Sequence, residues 1–262
     1  MEEGFDLSAL DRPEILQFIF FPRRDFGSKP STANTQDHKI PVEKEVFIGC
    51  RFYICNKDAP NILYFHGNGE IVSDYDDVAP LYGRIGVNLF VADYRGYGFS
   101  GGTPTFTNMI GDAHEIFKTF VQILKKDNHT GKVFVMGRSL GSASALELAY
   151  NYQGQISGII FESGFASIFE LLKYLGFPIE SLDLSKETGS SYFTKIRSIS
   201  IPTLVIHGEY DHLVPVEEGK AIFDNVSTDK KQMLIIPNAD HNTIMMMGME
   251  EYFKAIEGFV SD

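Results

Sequence analysis

The sequence has no basic run dense enough to hold a polyanion, no apolar run long enough to cross a bilayer, and no cysteine set spaced for a metal. Each lack excludes something. With 35 Asp and Glu against 23 Lys and Arg the formal charge is −12. Pairs such as Arg23-Arg24 and Lys230-Lys231 stand isolated, so nucleic acid is not an expected partner. A cationic substrate is permitted by the charge but not demanded. The apolar stretch Ile15 to Phe21 falls well short of the roughly 20 residues a spanning helix needs. The first residues, Met1-Glu2-Glu3, are acidic where a secretory leader is basic, and the expectation is a cytoplasmic protein without membrane contact. Phe18-Ile19-Phe20-Phe21 is read as an anchor onto the domain surface, with lipid-surface contact as the alternative. Of the two cysteines, Cys50 and Cys55 read as five apart on one strand, hence on opposite faces, which disfavours a mutual disulfide. They have no partners for zinc. No internal repeat or low-complexity tract is present.

What is present is an alternation. Val42–Ile48 and Arg51–Cys55 read as a hairpin with Gly49 near its turn. Apolar runs at Asn61–Phe65 and Val87–Ala92 read as strands buried on both faces, and Lys132–Met136, Ile156–Phe161, Thr203–His207 and Gln232–Ile236 as further strands. Between them lie stretches of helical periodicity, the longest being Phe106–Lys126, and Met249–Val260 closes the chain. Strands alternating with helices imply an α/β fold with a largely parallel sheet covered on both faces. Residues 1–40 read as an N-terminal extension packed on a domain spanning 41–262. One interval breaks the rhythm: residues 163–201 separate two strands and carry Phe165, Ile168, Leu171, Leu172 and Leu175. They form either a small lid over the active face or a helix on the sheet followed by a surface loop.

The chemistry centres on Gly137-Arg138-Ser139-Leu140-Gly141, between an apolar run and a stretch of good helix formers. A G-x-S-x-G pattern at a strand-to-helix turn holds a serine hydroxyl clear of the backbone. Serine needs a base to act as a nucleophile, usually a histidine oriented by a carboxylate. In this architecture the acid and then the histidine follow the serine, each in a loop at a strand's C-terminal end. Asp211, after Thr203–His207, and His241, after Gln232–Ile236, meet that requirement. Glu162 is the rival acid. Asp240 adjoins His241 in sequence and is poorly placed to reach its ring, Asp183 lies in the irregular interval, and His212 adjoins Asp211. His207 reads as a packed histidine, and His38, His114 and His129 as peripheral. An oxyanion on the attacked carbonyl needs donors. The backbone N–H of Leu140 is one, and that of Asn68, with Gly69 as alternative, is the second, from the small-residue loop His66-Gly67-Asn68-Gly69. His66 reads as a brace for that loop.

These motifs, together with Asp93-Tyr94-Arg95-Gly96-Tyr97-Gly98-Phe99-Ser100 and Ile201–Asp211, resemble the α/β-hydrolase superfamily over residues 42–260. The resemblance implies an eight-stranded core with an insertion between strands 6 and 7, a Ser139-Asp211-His241 triad, and hydrolysis of an ester, thioester or amide without a cofactor. Relatives that use Asp at the elbow, the haloalkane dehalogenases and epoxide hydrolases, are disfavoured by Ser139. The expected function is hydrolysis of a small-molecule carboxylic ester or thioester through an acyl-enzyme on Ser139. The alternatives are a peptidase or amidase, with Glu70, Glu162 or Glu209 as an anchor for a substrate amine, and a binding protein with a vestigial site.

Overall fold

In the computed structural model, residues 10–25, 34–178 and 186–261 are described, with side chains in the last stretch from Tyr192 onward. Eight strands run β1 (Thr35–Glu43), β2 (Val46–Tyr53), β3 (Asn61–Phe65), β4 (Asn88–Ala92), β5 (Val133–Arg138), β6 (Gly158–Glu162), β7 (Thr203–Gly208) and β8 (Lys231–Ile236). They form one sheet in the order β1-β2-β4-β3-β5-β6-β7-β8. Only β2 pairs antiparallel, with β1 and β4, and the other neighbours are parallel. The order reverses at β3, which lies between β4 and β5. The carboxyl ends of β3 and β5 therefore flank the crevice where open α/β sheets bind ligands.

The helices are α1 (Pro13–Ile19), α2 (Ala79–Arg84), α3 (Phe106–Lys126), α4 (Gly141–Tyr152), α5 (Ile168–Tyr174), α6 (Lys186–Ser198), α7 (Val216–Asn225) and α8 (Ile244–Ser261). Strand residues alternate between two cores, because successive side chains leave opposite faces of a sheet. Leu63, Phe90, Val135 and Phe161 join Phe117 of α3, Leu146 of α4 and Ile222 of α7 on one face. Tyr64, Val91, Met136 and Ile160 join Tyr82 of α2 and Tyr252 and Phe259 of α8 on the other. All residues of β3, β4, β6 and β7 are buried, as their near-continuous apolar composition requires. The long helix expected over Phe106–Lys126 is α3, started by the Thr105 hydroxyl, which accepts from Asn108 N–H at 3.0 Å.

Three readings need correction. The hairpin turns at Lys44 and Glu45, with Glu45 at φ 65°, whereas Gly49 sits mid-strand opposite Lys39. Gly49 is a packing glycine: a Cβ there would strike the Phe99 ring. With the register moved, β2 ends at Tyr53, so Cys55 lies beyond the strand that holds Cys50. Cys50 is buried and Cys55 half-buried. The last helix begins at Ile244 rather than Met249, with a break at Gly248 (φ −145°, ψ 46°) that brings its backbone against Ile236.

The N-terminal segment lies on the sheet-bearing body. Ile15, Ile19 and Phe20 are buried, Phe20 meets the Phe106 ring edge-on at 5.4 Å and Phe18 meets Phe177 at 5.4 Å. Residues 1–9 and 26–33 of the N-terminal extension lie outside the described residues. Within 163–201, α6 buries Ile196 in the core beside α4, while residues 179–185 are outside the description.

Candidate active site

The chain leaves β5 at Arg138 and enters α4 at Gly141, so Ser139 has to turn within one residue. It does so in the left-handed region, φ 50°, a conformation that costs a non-glycine residue about 1–2 kcal/mol. The turn is held because Ser139 N–H donates to the Glu162 carbonyl on β6 at 2.8 Å. Its tightness also dictates both flanking glycines. A Cβ at Gly137 would overlap the backbone of Gly141, and one at Gly141 would overlap the Phe65 carbonyl at the end of β3. Ser139 itself is half-buried.

The loop after β8 carries His241 to this serine. Ser139 O–H is placed to donate to His241 Nε2 at 3.0 Å, and His241 Nδ1 meets Asp211 Oδ2 at 2.7 Å. Donation from Nδ1–H to Asp211 leaves the Nε2 lone pair facing the hydroxyl. Both His241 and Asp211 are buried. Burial alone would raise the Asp211 pKa. The hydrogen bond and charge of His241, with the Val214 N–H at 2.8 Å, outweigh it and hold the carboxyl below its ordinary value. Leu213 N–H adds a further donor at 3.0 Å. Behind the pair, His207 gives Nε2–H to the Val214 carbonyl at 2.8 Å. Burial lowers its pKa and favours the neutral ring.

Across the crevice, the loop after β3 presents Asn68. Its Oδ1 accepts from Tyr97 O–H at 2.6 Å and from Phe21 N–H at 3.0 Å, and its amide donates to the Ile19 carbonyl. The side chain thus fastens the N-terminal segment to the loop. At the head of α4 the first closure is Ser142 N–H to the Ser139 carbonyl at 2.9 Å, which leaves the Leu140 N–H outside the helix ladder. Asn68, Ser139, Leu140 and His241 all line one cavity of about 430 Å³. Its apolar walls are Phe18, Ile19 and Phe21 of the N-terminal segment, Leu171 and Leu175 at α5, and Leu213. A larger cavity of about 730 Å³ is lined by Lys132, Pro202 and Lys230, by the starts of β5 and β7, and holds none of these residues. Among the described residues no group of three His, Cys, Asp or Glu is placed to hold a metal, and no helix is long and apolar enough to cross a membrane.

The family model described as "Serine aminopeptidase, S33" matches residues 57–178 and 176–245. The chain belongs to this hydrolase family, with the α/β-hydrolase fold. Among curated relatives of this S33 chain, protein bem46 of Schizosaccharomyces pombe is 30% identical over 210 residues, covering 78% of this chain and 68% of that one. Human alpha/beta hydrolase domain-containing protein 17B is 29% identical over 224 residues, covering 82% and 71%. The structure of the Pyrococcus furiosus esterase Pf2001 superposes with a TM-score of 0.73 at 19% identity, over 92% of this chain and 98% of that one.

Ser139, Asp211 and His241, far apart in this S33 sequence, are brought into one hydrogen-bonded chain. Glu162 goes elsewhere: it accepts from Tyr252 O–H at 2.8 Å and Tyr64 O–H at 3.2 Å and lies 3.4 Å from Arg138 Nε. Asp240 turns back on its own loop, accepting from Asn242 N–H and Thr243 O–H. His212 is exposed, and Asp183 lies outside the described residues. His66 is fully buried, with Nε2 3.2 Å from Asp93 Oδ1 and its carbonyl taking Tyr94 O–H at 2.5 Å. Sequence reasoning gave no role to Arg138 beyond its place in the motif, nor to the N-terminal segment as a wall of the cavity. Arg138 occupies one of the two positions of the elbow motif where any residue fits, so the pattern carried no signal for it.

Proposed function

We propose that this chain is a serine hydrolase of carboxylic esters or thioesters with an apolar acyl group. The observation that carries the reading is the Ser139–His241–Asp211 chain of 3.0 and 2.7 Å contacts at an apolar cavity. Ser139 Oγ attacks the acyl carbonyl as its proton passes to His241 Nε2. Asp211 keeps Nδ1 protonated and stabilises the imidazolium. The carbonyl oxygen takes up negative charge against the N–H groups of Leu140 and Asn68. Collapse expels the alcohol or thiol, which leaves with the proton from His241, and an acyl-enzyme stays on Ser139. Water then attacks that ester by the same path, returning the proton to Ser139.

A peptidase reading draws on the family's description as serine aminopeptidase. A substrate ammonium would need a carboxylate free to receive it. Glu70 and Glu162 already face Arg138, and Glu209 accepts from Asn238 N–H at 2.9 Å. Those engagements favour the ester. In the same proposal the N-terminal extension packs on the hydrolase domain, and the 163–201 interval serves as a small lid, contributing Leu171 and Leu175. The unpaired thiols of Cys50 and Cys55 suit the cytoplasm.

The test is turnover of p-nitrophenyl acyl esters, matched thioesters and aminoacyl amides, with fluorophosphonate labelling of the serine. Ser139→Ala should keep the fold and lose activity by about 10⁴-fold or more. Retained turnover in the purified variant overturns the assignment, preference for aminoacyl amides favours the peptidase, and no adduct on Ser139 favours a non-catalytic binding protein.

A further inference from the structure

The guanidinium of Arg138, its side chain only 11% exposed, lies where three loops meet. It forms an ion pair with Glu70 Oε1 through Nη1. Through Nη2 it donates to the carbonyl oxygen of His241 at 2.8 Å and to Asn242 Oδ1 at 3.1 Å. Glu70 uses its other oxygen, Oε2, to accept from Gly67 N–H at 2.8 Å and from Tyr75 O–H at 2.8 Å. The pair therefore links the residue before the nucleophile, the backbone of the base, and the residue before Asn68. Gly67 is shaped by it as well, since a Cβ there would overlap Arg138 Nη1 and lie 3.2 Å from the Glu70 carboxylate.

We propose that Arg138 and Glu70 act together as positioning residues for the hydrolysis proposed above, setting the distance between the oxyanion loop and the His241 loop. The inference rests on that reading of the site. Two features distinguish this role from general support of the fold. Beside the 3.4 Å approach of Nε to Glu162 at the end of β6, the contacts of the pair reach backbone atoms of the loops bearing the reacting groups, His241 O and Gly67 N. Both partners also stay ionised. Burial would lower the Arg138 pKa, but the carboxylates of Glu70 and Glu162 push it up. Burial would raise that of Glu70, but the Arg138 charge brings it below its ordinary value. A charge-assisted pair with fixed direction holds its loops more tightly than a neutral contact does. Displacement of reacting groups by about 1 Å costs on the order of 100-fold in rate.

The experiment uses the full chain with Arg138→Gln, Arg138→Lys, Glu70→Gln and the double variant Arg138→Gln/Glu70→Gln. It reads kcat and KM for a p-nitrophenyl ester, the rate of fluorophosphonate labelling, and the melting temperature. Each of R138Q and E70Q should lower kcat by about 30- to 100-fold and slow labelling in parallel, with KM within about twofold. The double variant should fall no further than the worse single one, because one pair is broken once. R138K, which keeps the charge but not the fork, should recover part of the loss. R138K and E70Q are conservative enough to carry the test if R138Q does not fold. Folded variants whose kcat changes less than about threefold, or whose losses add, overturn the positioning role while leaving the hydrolase reading standing. Absence of both turnover and labelling in the unaltered protein overturns the hydrolase reading, and the inference falls with it.

Discussion

The floor of the site and its cover are built by different forces. The floor consists of the ends of β3, β5, β7 and β8. It is fixed by directional contacts: Ser139 N–H on the β6 backbone, Asp211 under three donors, and Arg138 among Glu70, Glu162 and His241. The cover, residues 18–21 with Leu171 and Leu175, is held by apolar and aromatic contact, with Asn68 as its polar fastening. Directional contacts fix geometry to tenths of an ångström, which bond-making requires. Apolar contacts fix volume and tolerate substitution. In the proposed reading the floor therefore sets whether reaction occurs, and the cover sets on which acyl chain.

If that division holds, damage to the floor should be large and indifferent to substrate. Asp211→Asn should leave the fold and KM near those of the parent, and lower kcat by about 10⁴-fold for every acyl chain, because the ring is then held in the wrong tautomer. A chain-length series read for kcat checks this, and a loss concentrated on long chains would break the division. Asn68 belongs to both regions. In Asn68→Ala the backbone donor survives while Ile19, Phe21 and Tyr97 lose a partner. The expected result is a kcat loss of roughly tenfold together with a KM rise for long acyl chains. Steady-state kinetics with acetyl and decanoyl esters separates the two parts.

Damage to the cover alone should be smaller and selective. Leu171→Ala and Phe18→Ala remove apolar surface from the wall. Each should lower kcat/KM for decanoyl relative to acetyl esters by about tenfold, as a few methylene contacts are worth 1–3 kcal/mol. Acetyl ester turnover should stay within about twofold. An equal loss on both esters would show that the cover also shapes the floor.

The floor was far more legible in the sequence than the cover. Glycines and a serine at a strand-to-helix turn, and Asp211 and His241 at the ends of apolar runs, are local signals. Each loop announces itself through its own residues. Arg138 and Glu70 are 68 positions apart, and ion pairs between distant loops leave no periodicity to read. Phe18 and Phe21 read as a generic apolar anchor because a sequence shows that a residue is apolar without showing what it covers. Gly49 misled for a related reason. Turn glycine and packing glycine are the same letter, and only the Phe99 ring lying against it tells them apart.

The smallest effect on turnover should come from the ion pair that joins the elbow helix to the 163–201 interval away from the cavity. Glu147 of α4 meets His114 of α3 at 3.2 Å and forms an ion pair with Lys195 of α6, the second helix of the 163–201 interval. Burial works to raise its pKa. The hydrogen bond with His114 and the Lys195 charge overcome that and bring it down to about 2. A carboxyl whose folded pKa lies below its unfolded value stabilises the fold fully above the unfolded value, near 4.3, and loses that contribution as pH falls toward 2. The group is mostly buried, so the contribution at neutral pH is on the order of 2 kcal/mol. Glu147→Gln should therefore lower urea stability by about that amount at pH 7 and by progressively less between pH 4.5 and 2. At neutral pH its kcat should stay within about twofold of the parent, because the pair touches neither the Arg138 junction nor the cavity wall. A stability gap that does not narrow with acid would mean that Glu147 is held by packing rather than charge. A large loss of turnover would mean that α6 also governs the floor.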